Sequence, residues 1–101
     1  MLVALTVRKL KPGSMEDFKS AFIPSDDTEA PPGWKRFYAV QNVADPDEVI
    51  TFGFFDGTLD ELRSSQQDSA NYDERRAAAD EFVESVGADG VYEVREDRSM
   101  D

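Results

Sequence analysis

Residues Val49 to Phe55 read VITFGFF, and on an extended strand Ile50, Phe52 and Phe54 point one way while Val49, Gly53 and Phe55 point the other. A strand wet on one face alternates apolar with polar residues, so this one calls for cover on both faces. In a chain of 101 residues that requirement is severe. One layer of helices covers one face of a sheet, and a chain this short has little left for the other, so a second chain is the natural source of cover.

The flanking segments supply the rest of the layers. Met1 to Leu10 (MLVALTVRKL) reads as a strand closed by the Lys11-Pro12-Gly13 turn. Ser14 is then a helix cap, and Met15, Phe18 and Phe22 recur at i, i+3 and i+7 as one apolar stripe. Ile23 to Gly33, with three prolines, three acids and no periodicity, reads as an exposed loop. Trp34 to Val43 and Glu48 to Asp56 are aromatic and β-branched runs joined by a short turn, the pattern of an antiparallel hairpin. Thr58 and Glu61 have capping-box spacing, predicting a short helix from Thr58 to about Gln66. From Asn71 to Val86 the residues Tyr72, Ala79, Val83 and Val86 return to one side at about 100° per residue, predicting a second helix capped by Gly87. Gly90 to Asp97 is expected as the last strand.

The order is β-α-β-β-α-β, an α+β, ferredoxin-like arrangement with helices on one face of a four-stranded antiparallel sheet. Its other face is also apolar. At about 25 cal/mol per Å² a sheet face is worth several kcal/mol, so a homodimer packed sheet to sheet is expected. One domain is expected over residues 1–101, with 97–101 as a flexible tail.

Charge and composition remove whole classes of function. Acidic residues outnumber basic ones by 22 to 11, a formal net charge of -11, which disfavours nucleic acid and anionic membranes as partners. No apolar run is long enough to span a bilayer and no leader-like segment is seen, so a soluble, cytoplasmic protein is expected. Cysteine and histidine are absent, which removes disulfides, thiolate nucleophiles, Cys/His zinc sites and imidazole chemistry. The acidic runs SDDTEA and EDRSMD lack calcium-loop spacing and read as solvated surface. Gly87 to Gly90 runs from helix to strand, the reverse of a phosphate-binding loop. No metal and no cofactor are expected.

The N-terminal MLVALTVRKLKPGSMEDF, the hairpin through GFFDGTLDEL and the closing GVYEV resemble the antibiotic biosynthesis monooxygenase-like family of dimeric α+β barrels over nearly the whole chain. The shared features belong to a fold and include no catalytic signature. The resemblance implies a dimer with one small-molecule cavity per subunit between sheet and helices. It also implies a range of activities: cofactor-independent oxidation of aromatic polyketides, haem degradation, or none known. The haem-degrading branch carries an Asn, a Trp and a haem-ligating His that would fall near Thr6, Phe55 and Arg76. All three positions differ here, so that branch is set aside.

Arg76 lies about 40° round the helix from Tyr72, beside the apolar stripe, where a cation can hold a developing oxyanion or else reach past the edge to Asp73, Asp80 or solvent. On the hairpin, pairing Asn42 with Val49 brings Trp34, Arg36, Tyr38 and Asn42 to the cavity with Thr51 and Phe55. Pairing Val43 with Val49 brings Phe37 and Gln41 instead. The first is preferred because it gives Arg36, Tyr38 and Asn42 a polar cavity to enter. The cavity-lining candidates are therefore Thr6, Trp34, Arg36, Tyr38, Asn42, Thr51, Phe55, Tyr72 and Arg76. Two function classes stay open: an enzyme, as a cofactor-independent monooxygenase acting on a small aromatic compound, and a non-catalytic dimeric module that binds a hydrophobic ligand or has a structural role.

Overall fold

Alternation along the first strand sets the two faces of the sheet. In the computed structural model, which describes residues 1–23, 32–68 and 72–100, β1 (Leu2–Leu10) buries Thr6, Arg8 and Leu10 on one side. Val3, Leu5 and Val7 lie on the other side, only partly covered. After Gly13, α1 (Met15–Phe22) follows, with Phe18 and Phe22 buried as its stripe requires. Ser14 stands at the N-cap but its side chain makes no capping bond. The loop expected from Ile23 to Gly33 falls mostly outside the described residues.

β2 (Trp34–Gln41) and β3 (Glu48–Phe55) form the hairpin. α2 (Leu59–Asp68) opens on the capping box: Thr58 N donates to Glu61 Oε1 at 3.0 Å, and Glu61 N donates to Thr58 Oγ1 at 3.2 Å. α3 (Tyr72–Asp80) and β4 (Val83–Glu93) complete the chain. The sheet order is β2-β3-β1-β4 with all three pairings antiparallel, the ferredoxin-like topology with its second helical segment in two parts.

The second helix is shorter than its periodicity predicts. Val83 and Val86 belong to β4, opposite Leu10 and Arg8 of β1. Register shifts at Val7/Arg8 and Lys9/Leu10 leave Gly87 and Glu84 without partners, so a spacing of three in a doubly bulged strand imitates a helical repeat. Gly87 is thus a bulge residue, and the last strand starts seven residues before Gly90.

A first apolar centre sits at one end of the sheet, where Leu10, Phe18, Phe22, Val49 and Ala79 are buried together with Met15, Phe82 and Val83 against them. The Phe18 and Phe22 rings stack at 5.4 Å. At the other end Trp34 meets Phe55 edge-on at 5.1 Å and donates its indole N–H to Ser65 of α2 at 2.8 Å, tying hairpin to helix. Trp34 lies across Gly53, where an added Cβ would stand 3.0 Å from the ring; only glycine lets the indole approach that strand. Lys9 and Asp45 form an ion pair between β1 and the hairpin turn. Among the described residues no helix is long and apolar enough to cross a membrane.

Candidate functional site

Between the two apolar ends runs a polar band. Thr51, Thr6 and Asp89 stand in register on β3, β1 and β4 and share the helix-facing side. Thr6 Oγ1 donates to Asp89 Oδ1 at 3.0 Å, and Arg76 reaches down from α3 so that its Nη2 donates to Asp89 Oδ2 at 2.8 Å. One step along β1, Arg8 is only 2% exposed and donates Nη1 to Thr51 Oγ1 at 2.7 Å. Its guanidinium lies 4.7 Å from the Phe22 ring centroid and 5.4 Å from that of Phe18, so two aromatic faces replace much of the water it has lost.

Electrostatics centre on Asp89. Partial burial pushes its carboxyl upward, but the hydrogen bonds from Arg76 and Thr6 and the positive charges of Arg76 and Arg8 outweigh this and hold it below the usual carboxylate range. Asp89 is therefore ionised at neutral pH. The side chains of Arg76 and Asp89 are 37% and 46% exposed, so a solute can reach the pair, whereas Arg8 is sealed beneath α1. Such a band can orient an oxygen-bearing aromatic molecule and supply a cation, a carboxylate and a hydroxyl to it. Among the described residues no three His, Cys, Asp or Glu side chains converge to hold a metal ion.

The expected site residues divide. Thr6 and Thr51 are buried in the band, Arg76 is tied to it through Asp89, and Trp34 and Phe55 close one end. Asp89, rather than Asp73, Asp80 or solvent, takes the ion pair with Arg76. Tyr72 opens α3, and its side chain lies outside the described residues.

Arg36 and Tyr38 correct the preferred hairpin register. Gln41, not Asn42, pairs with Val49, and the unbroken register from there places Arg36 opposite Phe54 and Tyr38 opposite Phe52, on the face away from the helices; a shift follows only between Trp34 and Arg36. On that face Tyr38 stacks on Phe52 at 5.1 Å with Arg36 5.2 Å from its ring. The same bulge keeps Trp34 on the helix side together with Phe37, which pairs with Gly53. Asn42 lies in the turn: its Nδ2 donates to Glu48 Oε1 at 2.9 Å and its Oδ1 accepts from Ala44 N at 2.8 Å, so the amide closes the hairpin.

Arg8 and Asp89 are the residues the sequence reading missed. Arg8 has a signal, since it alternates with Thr6 and Leu10 on the buried side of β1. Asp89 has none, because the bulge at Gly87 conceals that it stands opposite Thr6.

No known protein family matches the chain by sequence, and no curated protein does. Solved structures do match in fold. A protein of Nitrosomonas europaea, provisionally named an antibiotic biosynthesis monooxygenase, superposes with a TM-score of 0.77 at 20% identity over 95% of this chain and 100% of that one. Proteins similarly named from Deinococcus radiodurans and Chloroflexus aurantiacus give TM-scores of 0.77 and 0.76, each at 11% identity over 99% of this chain and 98% of theirs. At such identities the likeness is one of fold, and it spans 95% or more of this chain.

Proposed function

We propose that this chain, which has the antibiotic biosynthesis monooxygenase-like fold, is a homodimeric small-molecule-binding protein that oxidises a phenolic or enolic aromatic compound with dioxygen and without a bound cofactor. The observation that carries the reading is Arg76, held by Asp89 beside buried Thr6 on the inner side of the sheet, where a cation can stabilise a substrate oxyanion. A deprotonated phenol or enol places negative charge on a ring carbon. Dioxygen adds there, one of its atoms stays as a carbonyl, and the other leaves as water with two hydrogens from the substrate. No outside reductant is needed. The monooxygenase names borne by the structural neighbours support the class of reaction.

A homodimer is supported by the sheet face away from the helices. Val3, Leu5, Val7, Ile50, Phe52 and Phe54 are only partly covered there, with Tyr38, Val40 and Tyr92 more exposed around them. The aromatic rings already contact one another, Phe52 with Phe54 at 5.9 Å, in a patch suited to a second copy of itself.

One observation favours the non-catalytic alternative, a binding or structural dimer: the charge of Arg76 is already met by Asp89. Binding of a small phenol, followed by calorimetry, decides the role of the site. Arg76→Ala is expected to weaken it by about 1.5 to 3 kcal/mol, the range for a hydrogen bond to a charged group. Arg63→Ala, on exposed α2 surface, is expected to change nothing. Equal or absent effects would remove the oxyanion role, and oxygen uptake with bound phenols separates enzyme from module.

A further inference from the structure

We propose that Arg76 and Asp89 form an acid–base pair that exchanges partners on binding a phenol or enol: Arg76 passes from Asp89 to the substrate oxygen, and Asp89 accepts the substrate's proton. The inference rests on the proposed small-molecule reading and assigns its base, a role no histidine can fill in this chain.

The geometry provides for both halves of the exchange. Each Asp89 oxygen has its own donor, Thr6 on Oδ1 and Arg76 on Oδ2. When Arg76 turns to the ligand, Thr6 keeps the carboxylate in place and Oδ2 becomes the free acceptor. The substrate O–H bond breaks, an O–H bond forms on Oδ2, and the electron pair stays on the substrate oxygen facing the guanidinium. Nothing is oxidised or reduced in this step. Arg76 and Asp89 are both half-exposed, so a ligand can enter between them, while Arg8 stays fixed under the Phe18 and Phe22 rings as a constant positive charge.

A carboxylate held ionised by a cation is a weak base, and a phenol ionises ordinarily near pH 10. Exchange removes that mismatch from both sides. Asp89 loses the hydrogen bond that most depresses its carboxyl, and the phenol gains a cation that lowers its own. The two acidities approach each other only in the complex, which is where proton transfer is wanted.

The probe is 4-nitrophenol, whose phenolate is yellow, titrated at a pH below its own ionisation. Calorimetry in buffers of different ionisation heat counts the protons released. With the parent protein the yellow form is expected on binding without proton release, since Asp89 retains the proton. Asp89→Asn is expected to bind the phenolate more tightly, because Arg76 no longer has the Asp89 charge to leave, and to release the proton to the buffer. Arg76→Gln is expected to weaken phenolate binding about tenfold or more and to leave the bound phenol colourless, with Arg76→Lys restoring the colour. A merely structural ion pair would make Asp89→Asn and Arg76→Gln lose binding alike, and that result overturns the proposal. So does proton release by the parent, or colourless binding to it. Failure of the parent to bind any phenol overturns the small-molecule reading itself.

Discussion

Arg8 and Thr51, 43 residues apart in the chain, are joined by a 2.7 Å hydrogen bond in the middle of the helix-facing side of the sheet. The bond links the two strands that carry most of the buried side chains, and it lies directly above the Phe18–Phe22 stack. A buried arginine of this kind contributes through its stem and its ring contacts as well as its charge.

Arg8→Ala is therefore expected to cost about 2 to 5 kcal/mol, the scale of a large-to-small core substitution. Arg8→Met refills the space but leaves the Thr51 hydroxyl without its donor, for about 1 to 3 kcal/mol. Urea unfolding at one fixed chain concentration should rank parent above Met above Ala. Equal losses for Met and Ala would show that the hydrogen bond, and not the packing, governs this position.

The uncovered sheet face makes its own prediction. Phe52 lies at the centre of that face, between Tyr38 at 5.1 Å and Phe54 at 5.9 Å. A dimer burying on the order of 2,000 Å² or more is expected to sediment at twice the chain mass at micromolar concentration. Phe52→Glu would bury a carboxylate against its own copy across the two-fold axis and is expected to give monomers. Arg63→Glu, on exposed α2, serves as the charge control. A parent protein that sediments as a monomer would dispose of the dimer.

Asp89 should make stability depend on acid. Its carboxyl is held below the ordinary value of 3.8, so the folded state binds that proton less readily than the unfolded chain does. The contribution is then fully present above the unfolded value and is lost as the pH falls below 3.8 through the lowered folded value. Nearly half the side chain is exposed, so solvent screening keeps the effect small. Comparing Asp89→Asn with the parent by thermal unfolding should show a deficit at neutral pH that narrows in acid. A deficit constant across that range would mean that the charge of Asp89 contributes nothing.

Legibility in the sequence follows strand parity, and it fails at bulges. The both-sided pattern of Val49 to Phe55 identifies β3 and its two faces, and Thr51 and Phe55 fall on the buried side as alternation requires. The Thr58–Glu61 pattern locates the start of α2 because that signal is local. At Lys35, Glu84 and Gly87 one strand carries a residue its neighbour does not match, and each slip shifts every side chain beyond it to the opposite face. Trp34 and Phe37 thus share a face at a spacing of three, as do Val83 and Val86 by their partners, and three is a helical spacing too. Arg36 and Tyr38 left the expected site because Gln41, not Asn42, pairs with Val49, and Asp89 entered it because the bulges at Glu84 and Gly87 disguise the start of β4 as helix. Nothing local to those residues signals the change, because a bulge is decided by which partner strand it best accommodates.

The last prediction uses the aromatic end of the site. Gly33 has φ +97°, and an added Cβ would lie 2.6 Å from Cε1 of Phe55 and 2.9 Å from its Cζ. Gly33→Ala therefore meets both the left-handed backbone penalty and a ring that is itself held edge-on against Trp34. Gly13, with φ +76° and nothing within 4 Å of an added Cβ, carries the backbone penalty alone. Gly13→Ala is expected to cost about 1 to 2 kcal/mol, and Gly33→Ala about 1 to 3 kcal/mol more, the range for overpacking. Trp34 is the single tryptophan of the chain, so its fluorescence reports the displacement directly. Emission should shift in Gly33→Ala and stay unchanged in Gly13→Ala. Identical stability losses with unshifted emission in both would show that the Phe55 ring yields freely, and that the end of the site built by Trp34 and Phe55 is not held by this contact.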